Sequence, residues 1–202
     1  LLLIQYARHN VPNGLSTGIH YDKIFLRVGE AEFLTAWVPI GDCTAEGGGL
    51  MYMENSTDVG KAMEADFTKR AEHLSPEERI NGFNVNMAKD GQLSHNAVEL
   101  TKDIMTGRWD DTSRITKPRR WLVGNYVSLR TLLSSMMLTV FPFPFQEAGD
   151  VVFHNPYMIH GAIKNEDPLG RIRLSTDLRF YKEGSDLDQR WMRDTWRPDD
   201  GL

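Results

Sequence analysis

His20 and Asp22 flank Tyr21 in IHYDKIFLRV (residues 19–28), a stretch rich in β-branched and aromatic residues that predicts a strand. Alternate side chains of a strand share a face, so the imidazole and the carboxylate can both project into a barrel interior, a pairing suited to a metal ion. Alone, the motif is weak. With six histidines in the chain, chance supplies on the order of 0.5 His-x-Asp matches. A core-edge histidine salt-bridged to Asp22 is the plainer reading of the pair taken by itself.

A second cluster lies far along the chain, in GDVVFHNPYMIHGAIKNEDPLGRIRLSTDLRF (residues 149–180). His160 falls on a predicted strand beside the small Gly161 and Ala162, the turn signal Asp167-Pro168-Leu169-Gly170 follows, and Arg171 comes after it. Read as a hairpin, the returning strand brings Arg171, Arg173 and Ser175 onto one face. Two histidines and a carboxylate leave three positions of an octahedral iron open, as in non-haem Fe(II) oxygenases. A guanidinium placed deeper can grip the distal carboxylate of a dicarboxylate cosubstrate through two parallel hydrogen bonds, which the point charge of lysine does less well.

Other residues compete for these roles. His154 precedes His160 by an even offset, but Asn155-Pro156 breaks the strand between them, so His154 is read as structural. Arg173 is the rival of Arg171. Thr35 could touch the cosubstrate, an ordinary strand threonine being the alternative, and Trp37 is read as core. His9, His73 and His95 lie in predicted loop or helical contexts and are read as surface residues. Gly47-Gly48-Gly49 has no following Lys-Ser/Thr or opening helix, so it predicts a turn or bulge rather than a phosphate cradle.

Taken together and in order, HYD, FLTAWVPIGD, GGGLMYMENS, GDVVFH, MIHGA and RIRLSTDLRF resemble the phytanoyl-CoA dioxygenase family of Fe(II)- and 2-oxoglutarate-dependent oxygenases, over most of residues 13–56 and 147–202. The resemblance implies a double-stranded β-helix with His20, Asp22 and His160 as iron ligands, Arg171 as the 2-oxoglutarate anchor and Ser175 as a hydroxyl near the same carboxylate. It further implies dioxygen and a small organic molecule as substrates, hydroxylation of a C–H bond with release of succinate and carbon dioxide, and ascorbate as an accessory reductant. Many members act on secondary metabolites, so the family name supplies no substrate. Members carry more chain before the His-x-Asp strand than the nineteen residues found here, and the sequence is read as one lacking its N-terminal part. Strand edges left open in that way favour a homo-oligomer, and a catalytically inactive jelly-roll subunit with a binding role is the alternative function. A cupin-like isomerase or sugar-binding jelly roll is weaker, because it gives Arg171 no task.

The elements that must position these residues can be read from periodicity. Strands are predicted at 19–28, 33–40, LMYME after the glycine run, 119–126, 150–154, 157–163 and 171–181, the first two as an antiparallel pair. Between them, from about 57 to 108, the pattern becomes helical. Val59, Met63, Phe67 and Ala71 recur at four-residue steps, Ser75-Pro76-Glu77-Glu78 is a helix start, and Leu93, Ala97, Leu100 and Ile104 form another stripe. A short helix is predicted from Asp186 to Arg193. Strands interrupted once by helices point to a mainly β jelly-roll, cupin-like fold in a single domain spanning residues 1–202.

Composition narrows the classes further. The 202 residues are 41% hydrophobic, enough for one sizeable core. A net charge of -5 argues against nucleic acid as a partner. One cysteine, Cys43, rules out an internal disulfide and fits a reducing compartment, and neither a membrane span nor a signal peptide is found, so an intracellular, cytoplasmic location is expected. Residues 127–146, VSLRTLLSSMMLTVFPFPFQ, interrupt the family pattern with apolar sequence that makes a poor surface loop. Through the genetic code the segment can begin with GT, hold a branch-point-like string and end in a pyrimidine tract with CAG. It is read as a retained in-frame intron, a true insertion being the alternative.

Overall fold

The computed structural model describes residues 4–26, 32–44, 46–75, 78, 92–105, 120–123 and 146–186. Its elements in chain order are β1 (Ile4–Asn10), β2 (Phe33–Ile40), β3 (Leu50–Met53), helix α1 (Thr57–Arg70), helix α2 (Ala97–Met105), β4 (Trp121–Val123), β5 (Val152–His154), β6 (His160–Ala162) and β7 (Arg173–Tyr181). Two antiparallel sheets result, one ordered β1-β7-β2-β5 and the other β4-β3-β6. His20 extends the second sheet by bridging to His160 beyond β6. The chain therefore crosses between sheets at nearly every step, which makes a double-stranded β-helix, the mainly β jelly roll that the sequence pattern predicts.

Period-2 alternation decides what each strand delivers to which layer. Leu50 and Tyr52 of β3 join Trp37, Val152 and Ala162 in one buried cluster. The intervening Met51 and Met53 belong instead to a second cluster with Val59, Met63, Phe67 and Ala71 of the α1 region and Leu100 and Ile104 of α2. Ile19, Tyr21 and Ile159 also join the helical layer, which leaves the side chains of His20 and His160 on the other side. Both predicted apolar stripes are thus the buried faces of their helices. Asn96 caps α2, its Oδ1 accepting from the N–H groups of Val98 and Glu99 at 3.0 and 3.2 Å. Ser75 and Glu78 form a reciprocal capping pair.

Two pairings differ from expectation. Among the described residues, 19–26 do not pair with 33–40 as the expected hairpin requires: Ile19 and His20 form single bridges to Ser94 and His160, and Asp22–Ile24 is a 3₁₀ turn. β2 lies between β7 and β5 instead. Nor do β6 and β7 form a hairpin, because they belong to opposite sheets and residues 163–172 carry the chain across. Local turn signals predict a return of the chain but not the sheet to which it returns. The expected helix at Asp186–Arg193 and nearly all of the 127–146 segment lie outside the described residues, Asp186 and Gln146 excepted.

Candidate metal centre

His20 and His160 start from paired backbones. Each N–H donates to the other's carbonyl at 2.8 Å, and the ring centroids are 4.4 Å apart. Asp22 reaches them from the first residue of the 3₁₀ turn, which is pinned by Lys23 N–H donating to the Pro156 carbonyl at 3.0 Å. All three side chains are buried, and one ligand atom from each lies within 4.8 Å of the others.

Hydrogen bonding fixes what those atoms offer. Nδ1 of His20 lies 2.8 Å from the Gly18 carbonyl, and Nδ1 of His160 lies 2.9 Å from that of Met158. A carbonyl only accepts, so in the neutral ring each Nδ1 carries the hydrogen and each Nε2 keeps a bare lone pair. Both Nε2 atoms are 3.7 Å from Oδ1 of Asp22. Burial, with His154 and His20 alongside, holds the His160 imidazole well below its usual range and therefore neutral. Burial alone would push the Asp22 carboxyl up. The Arg179 guanidinium, with Nη2 3.7 Å from Oδ1, and the hydrogen bond from His154 outweigh that and keep it well below the carboxylate range. Two imidazole lone pairs and a carboxylate oxygen thus converge with no hydrogen to share among them, a donor set that fits a first-row divalent metal such as Fe(II).

The other candidates separate. His154, at the end of β5, is buried beside the triad: its Nε2 is 3.2 Å from Asp22 Oδ2 and its ring centroid 4.4 Å from that of His160. The Asn155-Pro156 break does end the strand, yet there the chain passes from one sheet to the other, so His154 and His160 meet from opposite walls. Thr35, opposite His154 in the β2–β5 ladder, donates its hydroxyl to Asp22 Oδ2 at 2.5 Å. Trp37 is 1% exposed and packed in the core. His9, His73 and His95 are exposed, His9 on β1 rather than in a loop.

Arg171 does not share the buried face with Arg173 and Ser175. It precedes β7, its side chain is 56% exposed, and its Nε and Nη2 both donate to Asp167 Oδ2, at 2.9 and 2.7 Å. Arg173 is buried, donating from Nε to the Gly48 carbonyl at 3.0 Å and from Nη1 to Ser175 Oγ at 2.5 Å, with its guanidinium 5.7 Å from the Trp37 ring centre. Gly48 has φ +78, and a Cβ there would meet Asn10 Nδ2 at 2.3 Å, so the glycine run serves to bring this carbonyl close. Arg179 escaped the sequence reading, although Arg173, Ser175, Asp177 and Arg179 alternate as buried residues along β7.

No family model matches the sequence, and no curated protein matches it. Among solved structures, the chain is similar to the non-heme alpha ketoglutarate dependent carbocyclase SnoK from nogalamycin biosynthesis, at 20% identity over 90% of this chain and 49% of that one, with a TM-score of 0.47. It is also similar to EvdO2 from Micromonospora carbonacea var. aurantiaca, at 17% identity over 95% of this chain and 58% of that one, with a TM-score of 0.44. The chain spans about half the length of the solved structures it matches.

Proposed function

We propose that this chain is a Fe(II)- and 2-oxoglutarate-dependent dioxygenase of the phytanoyl-CoA dioxygenase family, hydroxylating a C–H bond of a small organic molecule of the secondary-metabolite class, with release of succinate and carbon dioxide. One observation carries the reading. The Nε2 atoms of His20 and His160, with their tautomers set by backbone carbonyls, face Oδ1 of Asp22 in a buried cluster.

In this reading His20, Asp22 and His160 hold the metal, which when bound supplies dioxygen activation coupled to decarboxylation of the keto acid. For the distal carboxylate of 2-oxoglutarate, the family spacing favours Arg171, and burial favours Arg173 with Ser175 beside it. We assign the anchor to Arg173, because a fork desolvated between Trp37 and Ser175 binds an anion more strongly than one in water. Thr35, offered by sequence as a cosubstrate contact, commits its proton to Asp22. Trp37, Leu50, Tyr52 and Val152 pack the neighbouring interior and exclude water from the metal side.

Succinate release from 2-oxoglutarate in the presence of Fe(II), under air, tests the assignment. Turnover is expected from the native chain and none from His20→Ala, Asp22→Ala or His160→Ala, each of which also loses iron binding while keeping its fold by circular dichroism. Full Fe(II) affinity in His160→Ala would overturn the metal assignment. Metal binding without succinate would favour the binding-subunit alternative.

A further inference from the structure

The two oxygens of Asp22 have different surroundings. Oδ1 faces the bare Nε2 atoms of His20 and His160 and the Arg179 guanidinium, each at 3.7 Å. Oδ2 accepts the Thr35 hydroxyl at 2.5 Å and lies 3.2 Å from His154 Nε2. On the far side of the His154 ring, Nδ1 is 3.1 Å from the Tyr52 hydroxyl.

We propose that Tyr52 and His154 form a positioning relay that, with Thr35, locks the rotation of the Asp22 carboxylate and offers Oδ1 alone to the metal. The inference rests on the metal-site reading above. Its direction follows from the hydrogens. If Nδ1 of His154 carried the proton, its bare Nε2 would face a carboxylate, acceptor against acceptor in a dry site. If Tyr52 donates to Nδ1, the hydrogen of the neutral ring sits on Nε2 and donates to Oδ2. Every contact is then satisfied. This tautomer is the reverse of that in His20 and His160, whose Nδ1 atoms are the ones bonded to carbonyls. Three neighbouring imidazoles are thus sorted by their partners into two lone-pair donors and one N–H donor, and His154 is excluded as a fourth ligand.

The relay stands on rigid elements. Tyr52 pairs with His160 in the β3–β6 ladder, and its ring stacks on that of His160 with centroids 5.5 Å apart and 23° between planes. His154 pairs with Thr35 in the β2–β5 ladder. Asp22 has no such ladder, since it opens a single 3₁₀ turn. The least constrained of the three ligands is the one that receives two extra hydrogen bonds. Groups that orient metal ligands in this way typically contribute roughly 10- to 100-fold to metal affinity.

The test is anaerobic titration of the full chain with Co(II), followed by its visible absorption, for the native chain, His154→Ala, His154→Gln, Tyr52→Phe and His160→Ala. We expect His154→Ala to weaken Co(II) by about 10- to 100-fold and alter the band shape. His154→Gln should recover most of both, because its amide N–H can still donate to Oδ2, and Tyr52→Phe should lose a smaller factor. His160→Ala, which removes a ligand, should lose far more than any of them. Native affinity and spectrum in His154→Ala would overturn the relay, and so would loss in both His154 variants down to the His160→Ala level, which would make His154 a ligand. Should His154→Ala fail to fold, Tyr52→Phe decides, an unchanged affinity and spectrum overturning the proposal. A native chain that binds no Co(II) overturns the metal-site reading itself, and is thereby distinguishable.

Discussion

At residue scale the two arginines make opposite predictions. Arg173→Lys keeps the charge but replaces a planar fork with a point donor, so it should raise the 2-oxoglutarate requirement while leaving iron affinity nearly unchanged. Loss of one charge-assisted hydrogen bond, roughly 1.5 to 3 kcal/mol, corresponds to about 10- to 100-fold. Arg171→Lys, at a partly exposed pair with Asp167, should change the requirement little. Initial succinate rates against 2-oxoglutarate concentration check both, and a reversal of the two effects would return the anchor to Arg171. The buried imidazole of His160 predicts a pH dependence of the metal-free fold. Its pKa is lowered on folding, so below about 6.5 the unfolded chain takes up a proton that the folded one refuses, and stability falls as the pH drops through that value. Asp22, lowered as well, adds a further loss below about 3.8. Melting temperatures measured from pH 7.5 to pH 5 should fall, and His160→Gln should reduce the slope.

At the scale of elements, α1 is seated against the loop that delivers His160. Gly60 is the contact: a Cβ there would lie 2.1 Å from the Tyr157 carbonyl oxygen. Alanine is the better helix former by about 1 kcal/mol, but overpacking against backbone costs roughly 1–3 kcal/mol. Gly60→Ala should therefore lower the melting temperature by a few degrees, at about 2–4 °C per kcal/mol for a chain of this size. It should also weaken Co(II) binding, because Tyr157 lies three residues before His160, a ligand in the proposed function; an unchanged melt would mean that the loop yields freely. The same elements show what the sequence could and could not reveal. Strand and helix faces were legible because alternation and four-residue stripes report burial directly, as Leu50, Tyr52, Val59 and Met63 show. Pairing was not legible, because the partners of β2 and β7 are set by layers far apart in the chain. A strand-like spacing points to His20 and Asp22 as a pair, and the structure does bring them together with His160, although Asp22 stands on a 3₁₀ turn rather than a strand. The Asn155-Pro156 break reads as distance between His154 and His160 along one strand, whereas it is the crossing between sheets that brings the two ring centroids to 4.4 Å.

For the whole molecule, the 127–146 segment and the order of the strands matter most. Gln146 belongs to the fold at its backbone, exchanging hydrogen bonds with Cys43 at 2.8 and 3.2 Å. Its side chain is fully buried, with neither amide atom hydrogen-bonded among the described residues, an expensive state. We expect deletion of 127–145, sparing Gln146, to preserve Co(II) binding and improve solubility. If the whole of 127–146 is a retained intron, its final CAG encoding Gln146, the dominant mature transcript lacks all sixty nucleotides, and transcript sequencing that finds them kept would make it a genuine insertion in which Gln146 is a native residue of the fold. The arrangement of β1, β7 and β2 bears on how the chain reaches this state. β7 lies between two strands that precede it by more than a hundred residues, so β1 and β2 cannot be joined on that side until the ribosome has delivered residues 173–181. Such high contact order slows folding to milliseconds or longer and leaves unpaired edges on the nascent chain. His20 likewise waits for His160. In the proposed function the metal site can therefore close only after the chain beyond residue 160 has been made, so fragments truncated before His160 should bind no Co(II).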